Sequence, residues 1–211
     1  MTIAEPSRRE RKKEETRRRI FEAAIGLFRE QGFEATTVDE ITEKADVGRG
    51  TFFNYFPKKE SVLSYLSEER LAAAKENADA LLAERLPARE KLIHLFQLAA
   101  GAWEQDRELS QFVFGEWLKR VFTPTAETAL GWRDLVAALL AQGRESRELR
   151  ADLDDQRAHE LLTSVYMTTL FQWLFRPAEC LSHDFELRAE LRARLTLVFD
   201  GLEPRGAEVR P

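Results

Sequence analysis

Thr37-Val-Asp-Glu-Ile-Thr-Glu-Lys-Ala-Asp-Val-Gly-Arg-Gly-Thr-Phe-Phe-Asn-Tyr-Phe56 reads as two short helices joined by a tight turn. Thr37 and Glu40 have the spacing of a capping box, in which the hydroxyl bonds the amide at the third helical position and the carboxylate bonds back. Val38, Ile41 and Ala45 mark the buried face of the first helix. Asp46-Val47-Gly48 is the break, because Asp and Gly both tolerate the left-handed backbone that a tight turn needs. The second helix runs from Arg49 to Phe56 and is stopped by Pro57. At about 100° per residue, Phe52 and Phe56 lie within about 40° of each other and face inward. Gly50, Thr51 and Asn54 take the opposite side, flanked by Tyr55 on one edge and by Arg49 and Phe53 on the other. The outward face is small, polar and free of carboxylates. That composition suits a helix entering a DNA groove, where phosphates repel acidic side chains.

Chemistry suggests a role for each residue. Gly48 and Gly50 let the helix start approach a duplex closely, with amides there favouring a phosphate oxygen. Arg49 suits guanine O6 and N7 or a phosphate, and Asn54 suits adenine N6 and N7. Thr51 and the Tyr55 hydroxyl suit phosphates or base edges. Lys59 opens the next helix, where a cation opposes the helix dipole; a nearby phosphate would offset that cost. Thr37 could also bond a phosphate, although capping alone accounts for it. An ordinary helical hairpin has the same periodicity, so the pattern by itself leaves both readings open.

Outward from this segment, the chain reads as helical throughout. Residues 1–13 are polar and charged and read as a disordered basic arm. From Thr16, the apolar residues Ile20, Ala24, Leu27 and Phe28, with Phe21 alongside, form one stripe ended by Gly32. A long helix begins near Lys59 and reaches about Glu84, with Val62, Leu63 and Leu66 inward. Five more are placed near 88–104, 107–121, 125–145, 155–175 and 184–200, with Pro87, Pro124 and Pro177 at three of the breaks, Asp184 capping the last helix and Gly201 ending it. No segment alternates with period two for long enough to be a strand. The expected fold is all-α, about nine helices: a helix-turn-helix domain over 14–58 and a second helical domain over 59–204.

Composition agrees. The 211 residues include 28 Leu and 26 Ala against 9 Val and 5 Ile, a balance that favours helix over sheet. Residues 1–60 carry net charge +1 and the remainder −6, and residues 8–19 hold eight basic side chains against three acidic ones. An acidic protein therefore has a basic leading edge, fit either for phosphates or for a solvated tail. Cys180 is the only cysteine, which excludes an internal disulfide and a cysteine metal cluster within one chain and fits a reducing compartment. The charged N-terminus does not read as a signal peptide. The uncharged run Leu161 to Phe175 spans about 22 Å as a helix, short of a ~30 Å hydrocarbon core. The expectation is a cytoplasmic protein that does not cross a membrane.

The run Thr16-Arg-Arg-Arg-Ile-Phe-Glu-Ala-Ala-Ile-Gly-Leu-Phe-Arg-Glu-Gln-Gly-Phe33, then Ala35-Thr-Thr-Val-Asp-Glu-Ile41, Ala45-Asp-Val-Gly-Arg-Gly-Thr-Phe-Phe-Asn-Tyr-Phe56 and Lys59-Glu60, resembles the DNA-binding domain of the TetR family of transcriptional regulators. The resemblance covers about 50 consecutive residues. It implies a homodimer that binds a palindromic operator in double-stranded DNA and responds to a small-molecule effector, with no cofactor. By position, Thr37, Arg49, Gly50, Thr51, Phe53, Tyr55 and Lys59 match family DNA contacts. Three residues depart from the pattern: Phe53 stands where Tyr is usual, Asp46 where the turn usually has Gly, and Gly48 where Ser or Thr often caps the recognition helix. The resemblance also implies a ligand pocket walled by aromatics, here Phe96, Trp103, Phe114, Trp117 and Trp132, with Tyr166 and Met167; Phe112 and Phe122 lie in the same stretch. Core filling would use the same side chains. The apolar residues Leu161, Val165 and Trp173, then Leu187, Leu191, Leu195 and Val198, are expected at a two-fold helical interface. Two such heads would read half-sites ~34–36 Å apart, and ligand binding is expected to weaken the grip on DNA.

Two other classes compete. A helical enzyme would need His94, His159, His183, Cys180 or paired carboxylates, but the histidines are scattered and no phosphate-loop or nucleophile-elbow motif occurs. A helical protein-interaction module would show no salt-dependent DNA affinity.

Overall fold

A computed structural model describes residues 7–121, 127–177 and 185–202. Phe122, Pro124, Cys180, His183 and Asp184 lie outside them. Among the described residues the chain forms nine α-helices and no strand: α1 (Arg8–Gln31), α2 (Val38–Lys44), α3 (Arg49–Tyr55), α4 (Glu60–Ala83), α5 (Ala88–Glu104), α6 (Arg107–Val121), α7 (Glu127–Glu145), α8 (Asp155–Phe175) and α9 (Leu187–Leu202). The all-α expectation holds.

One boundary differs markedly. The segment expected to be disordered through residue 13 is helical from Arg8. Ser7 and Glu10 form a second capping box: the Ser7 amide donates to Glu10 Oε2 at 2.7 Å, and the Glu10 amide donates to Ser7 Oγ at 3.2 Å. These bonds satisfy two of the donors that a helix start leaves open. The first turns of α1 are otherwise solvent-exposed, so the cap, rather than packing, accounts for the added length. At the far end Gly32 has φ 88° and its amide donates to the Phe28 carbonyl at 3.0 Å, the left-handed stop glycine permits. At the C-terminal end Gly201 lies within α9 instead of ending it.

The described chain divides into two compact units. The first takes residues up to Ser67 together with Phe112–Trp117 of α6, so it extends past residue 58. The reason is its core: Val62, Leu63 and Leu66 of α4 are buried with Ile20, Ala24, Phe28, Phe33, Ile41, Phe52 and Phe56. Rings meet through this core, Phe28 with Phe33 at 4.9 Å, Phe33 with Phe112 at 5.1 Å and Phe56 with Tyr65 at 5.9 Å. The Arg17 guanidinium lies 4.1 Å from the Tyr65 ring centre, a cation–π contact that keeps α1 and α4 in register.

The second unit comprises Glu68–Gln111 and the chain from Leu118 onward. Here α9 packs against both α5 and α8, and α7 also packs on α5 and α8. Leu187, Leu191, Leu195 and Phe199 are consequently fully buried within one chain. The interface expected at Leu187, Leu191 and Leu195 is thereby corrected: their four-residue spacing marks the protomer's own core. Gly143 lets α7 pass close to the following turn, since a Cβ there would meet Leu149 Cδ1 at 2.7 Å. The first amide of α5, left without a side-chain cap by Pro87, donates to Glu148 Oε2 at 2.5 Å. Lys91 is 2% exposed and donates to the Leu82 carbonyl at 2.9 Å, placing its charge at the negative end of α4.

Candidate functional site

The α2–turn–α3 segment has the geometry read from its sequence. Thr37 caps α2: its Oγ1 accepts from the Glu40 amide at 3.3 Å, while Glu40 Oε2 accepts from the Thr37 amide at 2.7 Å, the Thr37 hydroxyl at 2.8 Å and Gln31 Nε2 at 3.2 Å. These bonds, led by the Thr37 amide, hold the Glu40 carboxyl below the usual carboxylate range. Asp46 adopts φ 51°, the left-handed residue the turn needs, and the Val47 amide returns to the Thr42 carbonyl at 3.0 Å. Gly48 is the N-cap of α3 with an ordinary negative φ and no side-chain cap.

Within α3, Phe52 and Phe56 are buried at 0% and 1% exposure. Gly50 and Asn54 are exposed, and Thr51 and Tyr55 are half-buried. Phe53 is 41% exposed, its ring 5.4 Å from that of Phe52. Five of the eight candidate residues, Arg49, Gly50, Thr51, Phe53 and Asn54, therefore sit together on the outward side, with Tyr55 at its margin.

Two candidates have internal partners that the sequence did not disclose. The Arg49 side chain is 63% exposed, yet its Nη1 donates to both carboxylate oxygens of Asp39 on α2, at 2.9 and 3.0 Å. Lys59 Nζ donates to the carbonyls of Phe33 at 2.7 Å, Thr36 at 2.8 Å and Glu34 at 3.4 Å, and lies 4.3 Å from the Phe33 ring centre. The partial negative charge on these carbonyl oxygens offsets the cost of a cation at a helix start. Neither pairing follows a helical spacing: Arg49 reaches across the turn, and Lys59 reaches back to the loop before α2.

The seven aromatic and methionine candidates separate. Four converge in the second unit. Phe96 meets Trp132 edge-on at 5.4 Å and Tyr166 at 5.7 Å, and Trp103 Nε1 donates to the Tyr166 hydroxyl at 2.9 Å. Burial pushes the Tyr166 phenol far above its ordinary value, so it stays neutral and available for hydrogen bonding. Phe114 and Trp117 stack at 5.5 Å within the first unit. Met167 is half-buried. A separate open cleft of about 440 Å³ is lined by Arg107, Glu108 and Gln111 of α6 with Leu174, Phe175, Arg176 and Pro177 at the end of α8. None of the seven candidates lines it. Arg107 Nη2 donates to the Arg176 carbonyl at 2.7 Å and Gln111 Nε2 to the Leu174 carbonyl at 2.6 Å.

His159 is held below its ordinary basicity, first by burial and then by Arg133. Among the described residues no group of three or more His, Cys, Asp or Glu is placed to hold a metal ion, and no helix is long and apolar enough to cross a membrane.

Residues 20–66 match the family model for bacterial regulatory proteins of the tetR family, and residues 68–201 match that for the C-terminal domain of TetR/AcrR family transcriptional repressors. The fatty acid metabolism regulator protein of Bacillus subtilis is 25% identical over 190 residues, covering 87% of this chain and 93% of that protein. The structure of Thermus thermophilus FadR, a TetR family transcriptional repressor in complex with lauroyl-CoA, aligns with 33% identity and TM-score 0.64 over 92% of this chain and 99% of that one. Bacillus subtilis FadR in complex with stearoyl-CoA shares the fold, with TM-score 0.62 at 21% identity over 88% of this chain and 99% of that one. With both halves matched in order, and with α3 presenting a polar face outward, the chain belongs to the TetR family of DNA-binding transcriptional regulators.

Proposed function

We propose that this protein is a cytoplasmic, homodimeric repressor that binds a palindromic operator through α3 of each protomer and is released by a fatty acyl-CoA. The observation that carries the DNA-reading surface is the sidedness of α3: Phe52 and Phe56 anchor it in the core, leaving Arg49, Thr51 and Asn54 outward with Gly50, Phe53 and Tyr55 beside them. Arg49 reads guanine, Asn54 adenine, and the exposed Phe53 ring takes a thymine methyl in place of a tyrosine's phosphate bond. Thr37 and Lys59 hold the frame, since their polar atoms are already engaged within the protein.

The dimer reading rests on a revised surface. On α8, Leu161, Phe171 and Phe175 are exposed, with Val165 half-buried between them; on α9, Ala189, Ala193 and Leu197 recur at four-residue steps, and Leu197 is 72% exposed. Such an apolar stripe calls for a partner, and a two-fold copy supplies the same stripe. Trp173 instead lies 5.8 Å from the Arg107 guanidinium, off this face.

The acyl-CoA reading is supported by the lauroyl-CoA complex of the 33% identical repressor and by two features of the second unit. The Phe96–Trp103–Trp132–Tyr166 cluster offers an apolar lining for an acyl chain, with a buried hydroxyl beside it. The cleft offers Arg107 and Arg176, whose guanidiniums have no carboxylate partner among the described residues, for the ligand's phosphates. Tyr166 lies nine residues before the last residue of α8, Phe175, about 14 Å at ~1.5 Å per residue, and Arg176 follows directly as the helix's C-cap, a span that an extended pantetheine arm covers.

Fluorescence anisotropy with a duplex from the protein's own upstream region tests this. Lauroyl-CoA should weaken binding by ~5–150-fold, whereas CoA alone and laurate alone should not. Unchanged DNA affinity across medium- and long-chain acyl-CoAs would overturn the effector class, and affinity indifferent to salt would overturn the phosphate-dominated interface.

A further inference from the structure

We propose that Asp39 is a specificity-determining residue: it fixes the Arg49 guanidinium so that its remaining donors meet a guanine edge. This rests on the reading of Arg49 as a base contact. The geometry is directional. Both Asp39 oxygens accept from a single nitrogen, Nη1, leaving Nε and Nη2 without a hydrogen bond. Guanine presents two acceptors, O6 and N7, and an arginine satisfies them with two N–H groups in a rigid plane. A carboxylate holding the third nitrogen orients that plane before DNA arrives, which reduces the side-chain ordering that binding must otherwise supply.

The support for the pair is itself rigid. Asp39 stands in the first turn of α2, Arg49 opens α3, and the two helices share the buried residues Ile41, Ala45 and Phe52. Beside the guanidinium, the Phe53 ring centre lies 5.9 Å from Arg49 Cζ, a second surface against which the group rests. Both partners of the ion pair remain mostly exposed, at 63% and 70%, so as a surface pair it contributes little to folding. Its other effect is on binding. A carboxylate beside the reading face repels phosphates, so Asp39 lowers affinity for every duplex while it sharpens the choice among them. Those two effects have opposite signs on removal, which separates this role from a purely structural one.

The test uses the full chain as wild type, Asp39→Asn, Arg49→Ala and the double variant, each selecting from a randomised duplex library, followed by anisotropy on single-base variants of the selected duplex. The wild type should select a guanine in each half-site, and Arg49→Ala should lose that position alone. Asp39→Asn should relax the preference there by about tenfold, leave the other positions unchanged, tighten binding to random duplex, and add nothing in the Arg49→Ala background. Tighter binding with every base preference intact would show that Asp39 merely competes with DNA for Arg49, overturning the proposal. Equal loss at all positions with a lowered Tm would overturn it in favour of a structural role. An Arg49→Ala protein that keeps every base preference would instead refute the base-reading role of Arg49, and this inference with it.

Discussion

Replacing Lys59 with Met removes three N–H donors while keeping a chain of similar length over the Phe33 ring. Two of the lost bonds are short, at 2.7 and 2.8 Å, and go to part-buried carbonyls; the third, at 3.4 Å, is weak. A hydrogen bond from a charged donor contributes roughly 1.5–3 kcal/mol net. The three share one ammonium, so the gain is counted once, and the cation–π contact 4.3 Å from Phe33 adds about 0.5–1 kcal/mol. The expected loss is ~2–4 kcal/mol. At roughly 2–4 °C per kcal/mol for a chain of this size, Tm should fall by roughly 5–15 °C. Far-UV circular dichroism melts at fixed protein concentration measure this, and anisotropy well below the transition measures DNA affinity separately. The reasoning is refuted if Lys59→Met melts like the wild type yet loses affinity for all duplexes alike: Lys59 would then bond phosphate and not the loop before α2.

Three further outcomes follow. Arg107→Ala with Arg176→Ala should raise the lauroyl-CoA concentration needed for release at least tenfold, by analogy with the loss of charge-assisted phosphate contacts, while leaving ligand-free DNA affinity unchanged; operator titrations with and without ligand distinguish the two. Leu197→Glu or Phe171→Glu should shift sedimentation toward monomer with helicity retained, whereas Leu191→Ala should cost ~2–5 kcal/mol of stability, read from denaturant unfolding, because Leu191 is a core side chain. The depressed pKa of Glu40 contributes stability that is present above the ordinary carboxylate range and lost as pH falls through the lowered value; wild type and Glu40→Gln should therefore differ in Tm at neutral pH and converge in strong acid.

Much of the local code was legible where a single helix carried the signal. The capping box at Thr37, the stop at Gly32 and the inward pair Phe52 and Phe56 all depend on residues within one turn or two of each other, and each is found as read. The same signature at Ser7 and Glu10 sits in a polar, charged stretch whose composition reads as disorder, and there the cap outweighs composition. What the sequence could not reveal depends on distance along the chain. Asp39 and Arg49 meet across a turn, Lys59 folds back on carbonyls more than twenty residues earlier, and the cleft joins the start of α6 to the end of α8. Periodicity also cannot tell which of two neighbours covers an apolar face: Leu187, Leu191 and Leu195 have the spacing of any buried stripe, and only the packing of α9 on α5 and α8 assigns them to the protomer's interior.

The early start of α1 has a mechanical consequence. Arg8, Arg9, Arg11, Lys12 and Lys13 ride on a rod whose direction is inherited from the packed turns behind it, not on a tether free to sweep through solvent. Fixing the backbone of a loose segment costs roughly 1–2 kcal/mol per residue, and here folding has already met that cost. Any polyanion that these five cations touch is met by a preset array of charges, and the length and pitch of the helix decide which of its phosphates come within reach.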